Sequence, residues 1–176
     1  MKLIVRTGAA LLASGVLAAC SGMPKISFGT PSSEEPSAAW QEQSATLPAA
    51  PNDAQLVPFY VSPTATMRHA LDAGTLAIGA DGVIRYTLLA LGPTGARNVS
   101  YEGLRCATGE FKQYAYGRND GTWARPREER WQPLAQFDAN NPQALLARDF
   151  FCQGRAASGS ALDLLRKLRA APQLSN

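Results

Sequence analysis

The sequence predicts an α+β domain in which an antiparallel β-meander of about five strands packs against two C-terminal helices. Runs of β-branched, aromatic and aliphatic residues alternate with turn signals between Val57 and Gly117, which is typical of strands joined by hairpins. After Asn141 the apolar residues recur with a period near 3.6, which indicates helices. A chain of 176 residues has room for a single domain of this kind.

The N-terminus has the pattern of a secretory signal. Lys2 and Arg6 precede an apolar stretch from Ala9 to Leu17, which closes on Leu-Ala-Ala-Cys at residues 17–20. A membrane-spanning helix is the alternative, but such a helix needs roughly 20 apolar residues, and this stretch is much shorter. The sequence therefore predicts a signal peptide over residues 1–19.

Residues 17–20 resemble the lipobox of bacterial lipoproteins. In those proteins the cysteine receives diacylglycerol, the peptide is cut before it, and the new amino terminus is usually acylated too. The resemblance implies that Cys20 is the lipidated first residue of the mature chain, since two or three acyl chains such as palmitate hold a protein firmly on a membrane. Ser21 follows instead of the Asp that favours the inner membrane, so we expect an outer-membrane anchor facing the periplasm.

Residues 20–55 are predicted to form a lipidated N-terminus and a disordered tether. This segment holds five of the twelve prolines, is rich in Ser and Ala, and has almost no periodic apolar pattern, a composition that is typical of disorder. Residues 56–176 then form the small periplasmic domain. Trp40 is the unusual residue of the tether, and it is either passive, self-associating or a docking point for a partner.

The meander is predicted from its turns. Asp81-Gly82 is a hairpin signal that opens the clearest strand, Val83 to Leu91. Gly-Pro-Thr-Gly at residues 92–95 leads into a strand over residues 98–106, and residues 107–110 lead into a strand over residues 111–117. Upstream, residues 71–74 (Leu-Asp-Ala-Gly) also predict a turn.

Two helices are predicted after an irregular, arginine-rich stretch. Asn141 and Pro142 fit an N-cap and the first helical position, and this helix runs towards Cys152. The second helix begins at Ser160, where Asp163 completes a capping box. We expect its apolar stripe to pack on the sheet, whereas contact of its basic face with an anionic membrane or a partner is the alternative. The stripe consists of Ala161, Leu164, Leu165 and Leu168.

The cysteine count indicates an oxidising compartment. If Cys20 carries lipid, Cys106 and Cys152 remain, and we expect them to form a disulfide in the periplasm. The alternative is that one of them is a reactive nucleophile. A nucleophile of that kind needs a histidine partner, and His69 is the only histidine in the chain.

Charge and composition exclude several classes of function. The chain has 17 Lys and Arg against 14 Asp and Glu, and removing the signal peptide leaves 15 basic residues. A nearly neutral mature chain lacks the concentrated positive field of nucleic-acid-binding proteins. The sequence has no cluster with metal-ligand spacing and no phosphate-binding glycine loop. We therefore expect no nucleic acid, no metal, no cofactor and no catalytic residue in a monomeric domain.

The residue pattern on one face of the meander predicts that an acidic residue lies inside the core. If the strands on either side of residues 92–95 pair, Tyr86 lies opposite Glu102 and Ile84 lies opposite Leu104. This face is apolar, so Glu102 would be drawn partly inside with Tyr86 as its partner. A part-buried carboxylate is either a structural pair that fixes the register or a flag for a functional site.

The opposite face carries Arg85, Arg105 and Tyr101. It is either an ordinary solvated face or a shallow surface that binds anions or glycans. Trp123 and Trp131 flank the arginine-rich stretch at residues 124–130. They either stack on a ligand or close a loop over the core. The candidate binding surface comprises Arg85, Tyr86, Tyr101, Glu102, Arg105 and Trp123.

Several motifs occur in an order that resembles the CNP1-like family of small bacterial envelope proteins. They are Asp-Gly-Val-Ile-Arg-Tyr-Thr at residues 81–87, Gly-Ala-Arg-Asn-Val-Ser-Tyr-Glu-Gly-Leu-Arg-Cys at 95–106, Tyr-Ala-Tyr-Gly at 114–117, and Trp123. The resemblance covers about residues 57–153 and supports the limits of the domain. It brings no activity that transfers to this chain.

These features together predict a non-catalytic, lipid-anchored protein that binds or helps to assemble an envelope component, either a protein or a glycan. The alternative is a peptidoglycan- or glycan-acting hydrolase. Such an enzyme uses a pair of carboxylates, which here would be Glu102 with Asp81 or Glu110.

Overall fold

The computed structural model describes residues 39–134 and 140–172. The described residues belong to one folded unit, which begins at Ala39. The predicted signal peptide, the lipid-attachment residue Cys20 and the first part of the predicted tether lie outside the described residues.

The unit is built on an antiparallel sheet whose strands follow the order of the chain. Its longer strands are β1 (Leu56–Phe59), β2 (Arg68–Ile78), β3 (Val83–Leu91), β4 (Arg97–Arg105) and β5 (Glu110–Gly117). Two short strands, β6 (Trp123–Ala124) and β7 (Gln132–Pro133), both pair with β5. The predicted meander is confirmed, although the expected count of about five strands is slightly low because β6 and β7 extend the sheet.

The turns differ from the prediction at one place. The predicted hairpin turn before β3 is present, and Gly82 adopts a φ of 76° there, a conformation that glycine tolerates best. The turn expected at residues 71–74 is wrong, because β2 runs through it with a register shift between Asp72 and Ala77. The Gly74 N–H donates to Asp72 Oδ1 at 2.9 Å, so the side chain supports an irregular strand instead of a reversal.

The two predicted helices follow the sheet. A short 3₁₀ turn (Asp53–Gln55) precedes β1, and α1 (Pro142–Leu145) continues directly into a π-helical segment (Leu146–Phe151). After the small hairpin β8 (Cys152–Gln153) and β9 (Ala156–Ala157) comes α2 (Ala161–Ala170). Both expected N-caps are confirmed, since Asn141 accepts from the Ala144 N–H and Ser160 forms a reciprocal capping box with Asp163.

The hydrophobic core lies between one face of the sheet and these helices. Ile84, Tyr86 and Leu104 from the sheet are fully buried there, and Phe151 packs edge-on against Tyr86 with 5.4 Å between ring centroids. The predicted packing of α2 on this core is confirmed, because its apolar residues Leu164 and Leu168 are fully buried.

A disulfide links the helical segment to the sheet. Cys106 and Cys152, 46 positions apart in sequence, are joined with their Cα atoms 5.6 Å apart. The bond ties the end of β4 to the end of the π-helical segment, as the sequence predicted. Neither thiol is then available for the nucleophilic role that was the alternative.

Candidate functional site

The pairing of β3 with β4 confirms the predicted register and divides the candidate binding residues between two faces. Tyr86 lies opposite Glu102, and Ile84 lies opposite Leu104. Tyr86 and Glu102 point into the core beside the helices. The remaining four candidates lie on the other face of the sheet. They are Arg85, Tyr101, Arg105 and Trp123.

Residues 40–48 cover part of this second face, and we call them the strap. The sequence analysis assigned them to the disordered tether, but they form side-chain and backbone contacts with the sheet. They lie in a longer stretch whose Ser, Ala and Pro content resembles a linker, and the contacts of Trp40 and Glu42 reveal the difference. The sheet residues under the strap, called the strap face, are Arg85, Tyr101, Arg105, Lys112, Tyr114 and Trp123.

Trp40 holds the first part of the strap. The guanidinium of Arg105 lies over its ring, with Cζ 3.6 Å from the centroid, and Trp131 meets it edge-on at 6.0 Å. Its Nε1–H donates to the Asp81 carbonyl at 2.8 Å. A cation over an indole face is attracted by the ring quadrupole. Trp40 therefore packs on its own domain, which is the self-association that was one of the alternatives for this residue in the sequence analysis.

Glu42 is bound by three donors of the strap face and its margin. The Tyr114 hydroxyl donates to Oε1 at 2.7 Å, while Lys112 Nζ and Trp131 Nε1 donate to Oε2 at 3.0 and 3.1 Å. Burial alone would raise the pKa of Glu42, but these hydrogen bonds outweigh that effect, and its pKa lies below the ordinary value. The geometry is that of a carboxylate-binding site.

Asp81 and Arg85 anchor the middle of the strap through Gln43. Arg85 Nη2 donates to Asp81 Oδ2 at 2.7 Å and to the Gln43 carbonyl at 2.8 Å. The Gln43 N–H in turn donates to Asp81 Oδ2 at 2.8 Å. Burial opposes ionisation of Asp81, yet these bonds lower its pKa. Arg85, expected on an open surface, is therefore only 7% exposed.

The last part of the strap is apolar. Ala45 and Leu47 pack against a small cluster formed by Tyr101, Tyr114 and Ala115. Trp123 closes this end, since its Nε1–H donates to the Pro48 carbonyl at 2.7 Å and its ring lies 6.2 Å from that of Tyr101.

A bulge in β5 brings Tyr114 to the strap face. The register shifts there, because Tyr101 pairs with Ala115 while Glu102 pairs with Gln113, which leaves Tyr114 as the extra residue. The ring of Tyr114 fills the space above Gly103, where an added Cβ would lie 2.6 Å from the hydroxyl oxygen. The site for the Glu42 carboxylate therefore depends on a glycine on the neighbouring strand.

Glu102 lies in a separate buried cluster on the core side. Its carboxylate accepts from Ser100 Oγ at 2.6 Å and from Gln143 Nε2 at 3.0 Å, so it links β4 to α1. Burial raises its pKa, although these hydrogen bonds partly oppose that effect. Burial and the neighbouring Glu102 charge also raise the pKa of Tyr86, whose hydroxyl has no hydrogen-bond partner of good geometry among the described residues.

The carboxylates considered for hydrolysis lie in different surroundings. Glu102 is 2% exposed on the core side, Asp81 is bound to Arg85 under the strap, and Glu110 lies 4.0 Å from Arg105. The sequence-based pairings of Glu102 with Asp81 or Glu110 thus combine a core residue with residues that contact the strap face.

Open cavities adjoin the middle of the strap and the chain just beyond its end. One of about 270 Å³ lies beside Glu42 and is lined by Lys112 and Arg125 among others. Another of about 270 Å³ lies beside Trp123 and is lined by Arg97 and Arg118 among others. A cavity of about 400 Å³ adjoins the disulfide on the core side. Cationic side chains therefore line the cavities next to the strap.

The described residues give further observations on metal ligands, on His69 and on membrane-spanning helices. Within residues 39–134 and 140–172, no group of three or more His, Cys, Asp and Glu side chains is placed to hold a metal ion. His69 is buried with Nδ1 unpaired, and burial lowers its pKa. No helix in the part of the chain that the structure describes is long and apolar enough to cross a membrane.

Sequence reasoning missed Glu42, Lys112, Tyr114 and Trp131 as one cluster. Its signal was weak, because these residues lie far apart in the chain and because a bulge, which alternation of side chains does not reveal, places Tyr114. The one usable clue was an aromatic residue and a carboxylate, Trp40 and Glu42, close together in a segment otherwise rich in small polar residues.

No curated protein and no solved structure matches the chain. The CNP1-like family matches residues 35–169. This match begins before the strap and reaches α2, so it is longer than the stretch of about residues 57–153 on which the sequence motifs depend. The chain belongs to the CNP1-like family.

Proposed function

We propose that this protein is a non-catalytic binding or assembly module of the bacterial cell envelope, held on the outer membrane through a lipidated Cys20 and facing the periplasm. The lipobox pattern at residues 17–20 supports the anchor. The disulfide between Cys106 and Cys152 fits an oxidising compartment.

One observation carries the binding function, which is that the strap face already holds an extended segment of chain. It binds that segment through a carboxylate, two backbone carbonyls and an aromatic ring. Surfaces that recognise extended peptides use the same elements, since main-chain hydrogen bonds supply affinity and side-chain pockets supply specificity.

The glycan hydrolase, our alternative from the sequence, receives no such support. A retaining or inverting hydrolase needs two carboxyl groups that flank one bond of the substrate. Glu102 is enclosed by Ser100 and Gln143, while Asp81 is neutralised by Arg85. Both carboxylates have structural partners and are not open to a saccharide.

Crosslinking in the cell tests this proposal. A photo-reactive residue replaces Arg125, which lines the cavity beside Glu42. The matched control replaces Arg166 on α2. Both side chains are exposed, at 59% and 68%, and both pair with an acid within one helical turn in sequence.

We expect a discrete envelope adduct from position 125 that is absent from position 166. The same adducts from both positions, or none from either, would contradict a binding module. A third arm tests the anchor, because Cys20→Ala should shift the protein from the membrane fraction to the soluble fraction. Unchanged membrane fractionation of that variant would contradict lipidation.

A further inference from the structure

The strap is held without being a strand of the sheet. Residues 40–48 have no regular secondary structure, and their contacts to the strap face are made by side chains and by single backbone groups. Removing the strap therefore breaks no β-ladder. A segment attached in this way can open locally while the sheet remains intact.

The strap face, by contrast, needs an occupant. Tyr114 is 2% exposed, and the side chains of Lys112 and Arg85 are 12% and 8% exposed. These donors are satisfied by Glu42 and by the Gln43 carbonyl. When the strap leaves, these donors lose their direct acceptors and are exposed to water, so a segment that carries matching acceptors can bind in its place.

The contacts define what such a segment carries. An aromatic ring fits between Arg105 and Trp131, as Trp40 does. Two positions later a carboxylate fits Lys112 and Tyr114, as Glu42 does. Small and aliphatic side chains then follow over the tyrosine cluster, as Ala45 and Leu47 do.

Charge favours the same class of segment. Arg85, Arg105 and Lys112 give the strap face three cations, and the described acids that pair with them are Asp81, Glu110 and Glu42. Glu42 leaves with the strap, so the open strap face carries an uncompensated positive charge. An acidic segment is attracted to such a face, and a basic segment is repelled.

We propose that the strap face is a peptide-binding groove for an extended segment of a partner envelope protein, with an aromatic residue followed two positions later by Asp or Glu, and that the strap occupies this groove in cis until the partner displaces it. This inference rests on the proposed binding function and names its surface and the chemistry of its partner. The strap sets a threshold for the affinity of the partner, because a tethered competitor acts at a roughly millimolar effective concentration.

A synthetic peptide of residues 39–49, labelled with a fluorophore, tests the groove by anisotropy titration. The receptor is the full mature chain with the strap weakened by Trp40→Ala and Glu42→Gln. We expect saturable binding that is about tenfold or more tighter than binding to the wild-type chain, in which the groove is mostly closed.

Two matched controls sharpen the result. A peptide in which the glutamate is replaced by glutamine should bind at least about tenfold more weakly, since it loses a charge-assisted site. The receptor that also carries Arg166→Ala, a change on α2 outside the groove, should bind the peptide unchanged. No saturable binding, or equal binding of both peptides, would overturn the proposal.

Hydrogen exchange of the wild-type chain keeps the test decisive if the weakened receptor does not fold. The Gln43 N–H is bonded to Asp81 in the closed state, and its exchange reports on strap opening. We expect Gln43 to exchange faster than the paired amides of β3 and β4. Exchange of Gln43 only together with those strands would show that the strap never opens alone, and the groove would be refuted.

The two proposals can fail separately. A discrete adduct from position 125 together with no peptide binding would retain the binding module and refute only the groove. Peptide binding with no adduct in the cell would refute the module in the envelope while leaving the groove as a property of the fold.

Discussion

The Arg105 guanidinium lies over the ring of Trp40, with 3.6 Å between Cζ and the ring centroid. This contact joins the end of a central strand to a segment that composition alone assigns to a tether. It also explains why Arg105 is not a free surface cation, since its side chain is 18% exposed. The contact between Trp40 and Arg105 therefore marks where the folded unit begins.

Replacing Trp40 by alanine should loosen the strap. The variant loses the stacking on Arg105 and the hydrogen bond to the Asp81 carbonyl, which together stabilise the folded state by about 1–3 kcal/mol. Limited proteolysis should cut the strap earlier, and urea unfolding should show the loss. The control is Leu162→Ala at an exposed apolar position of α2, where the change should stay within about 0.5 kcal/mol. Equal effects of both substitutions would contradict a specific role for Trp40.

Acidification should release the strap through Glu42. The pKa of Glu42 is lowered from its ordinary value of 4.5 in the folded chain, because hydrogen bonds from Tyr114, Lys112 and Trp131 outweigh the opposing effect of burial. A lowered folded pKa contributes stability that is complete above the unfolded value and is lost as the pH falls through the folded value. Exchange of the Gln43 amide should therefore accelerate below pH 4.5 relative to β3 and β4.

The variant Glu42→Gln is the control for this pH dependence. It carries no titrating group at position 42, so the difference in strap exchange between neutral and acidic pH should shrink. A variant with the full pH response of the wild-type chain would assign the response to another carboxyl group, such as Asp81, whose pKa is also lowered.

Much of the fold was predictable because its signals are local. The turn at residues 92–95 and the alternation of side chains were enough to pair Tyr86 with Glu102, and the N-caps at Asn141 and Ser160 depend on residues within one turn of each helix. The strap was not predictable in this way. Trp40 and Glu42 acquire their role only against Arg105, Lys112 and Tyr114, which are distant in sequence.

Burial was predicted in direction for Glu102 but not for Arg85. Glu102 was expected partly inside the core and is enclosed there, because Gln143 from α1 covers it. Arg85 was expected on an open face and is buried, because the strap covers it. In both cases the covering residue comes from another part of the chain, and a strand pattern contains no information about it.

Adding a methyl group at Gly103 should displace Tyr114. The new Cβ would lie 2.6 Å from the Tyr114 hydroxyl oxygen and 2.8 Å from Cε2, so the ring must move away from Glu42. Overpacking of this kind costs about 1–3 kcal/mol, and Gly103→Ala should also open the strap to protease. Gly92→Ala is the matched control, since its Cβ would meet its nearest neighbours at an ordinary 3.6 Å. If both variants were equally stable, the close fit of Tyr114 on Gly103 would be wrong.

Removing the disulfide should destabilise the domain as a whole. Cys106 and Cys152 enclose a loop of 46 positions, and the loss of such a link costs about 2–4 kcal/mol. The double variant Cys106→Ser, Cys152→Ser should unfold at lower urea concentration than the oxidised chain. Alkylation without reductant should label neither cysteine of the folded wild-type chain. Labelling of either thiol before reduction would contradict the link.

Glu102 should have the opposite pH dependence to Glu42. Burial raises its pKa above the ordinary value of 4.5, so the folded chain keeps a proton that the unfolded chain has already lost. The stability linked to this group is complete below pH 4.5 and is lost as the pH rises through the raised folded value.

Glu102→Gln removes the ionisation while it keeps an acceptor for Ser100 and a planar group for Gln143. The variant should therefore gain stability over the wild type between pH 4.5 and pH 8, as measured by urea unfolding at both values, whereas Glu128→Gln at an exposed position should show no such gain. A wild-type chain that becomes more stable relative to Glu102→Gln as the pH rises would mean that the buried carboxylate is stabilised in its ionised form.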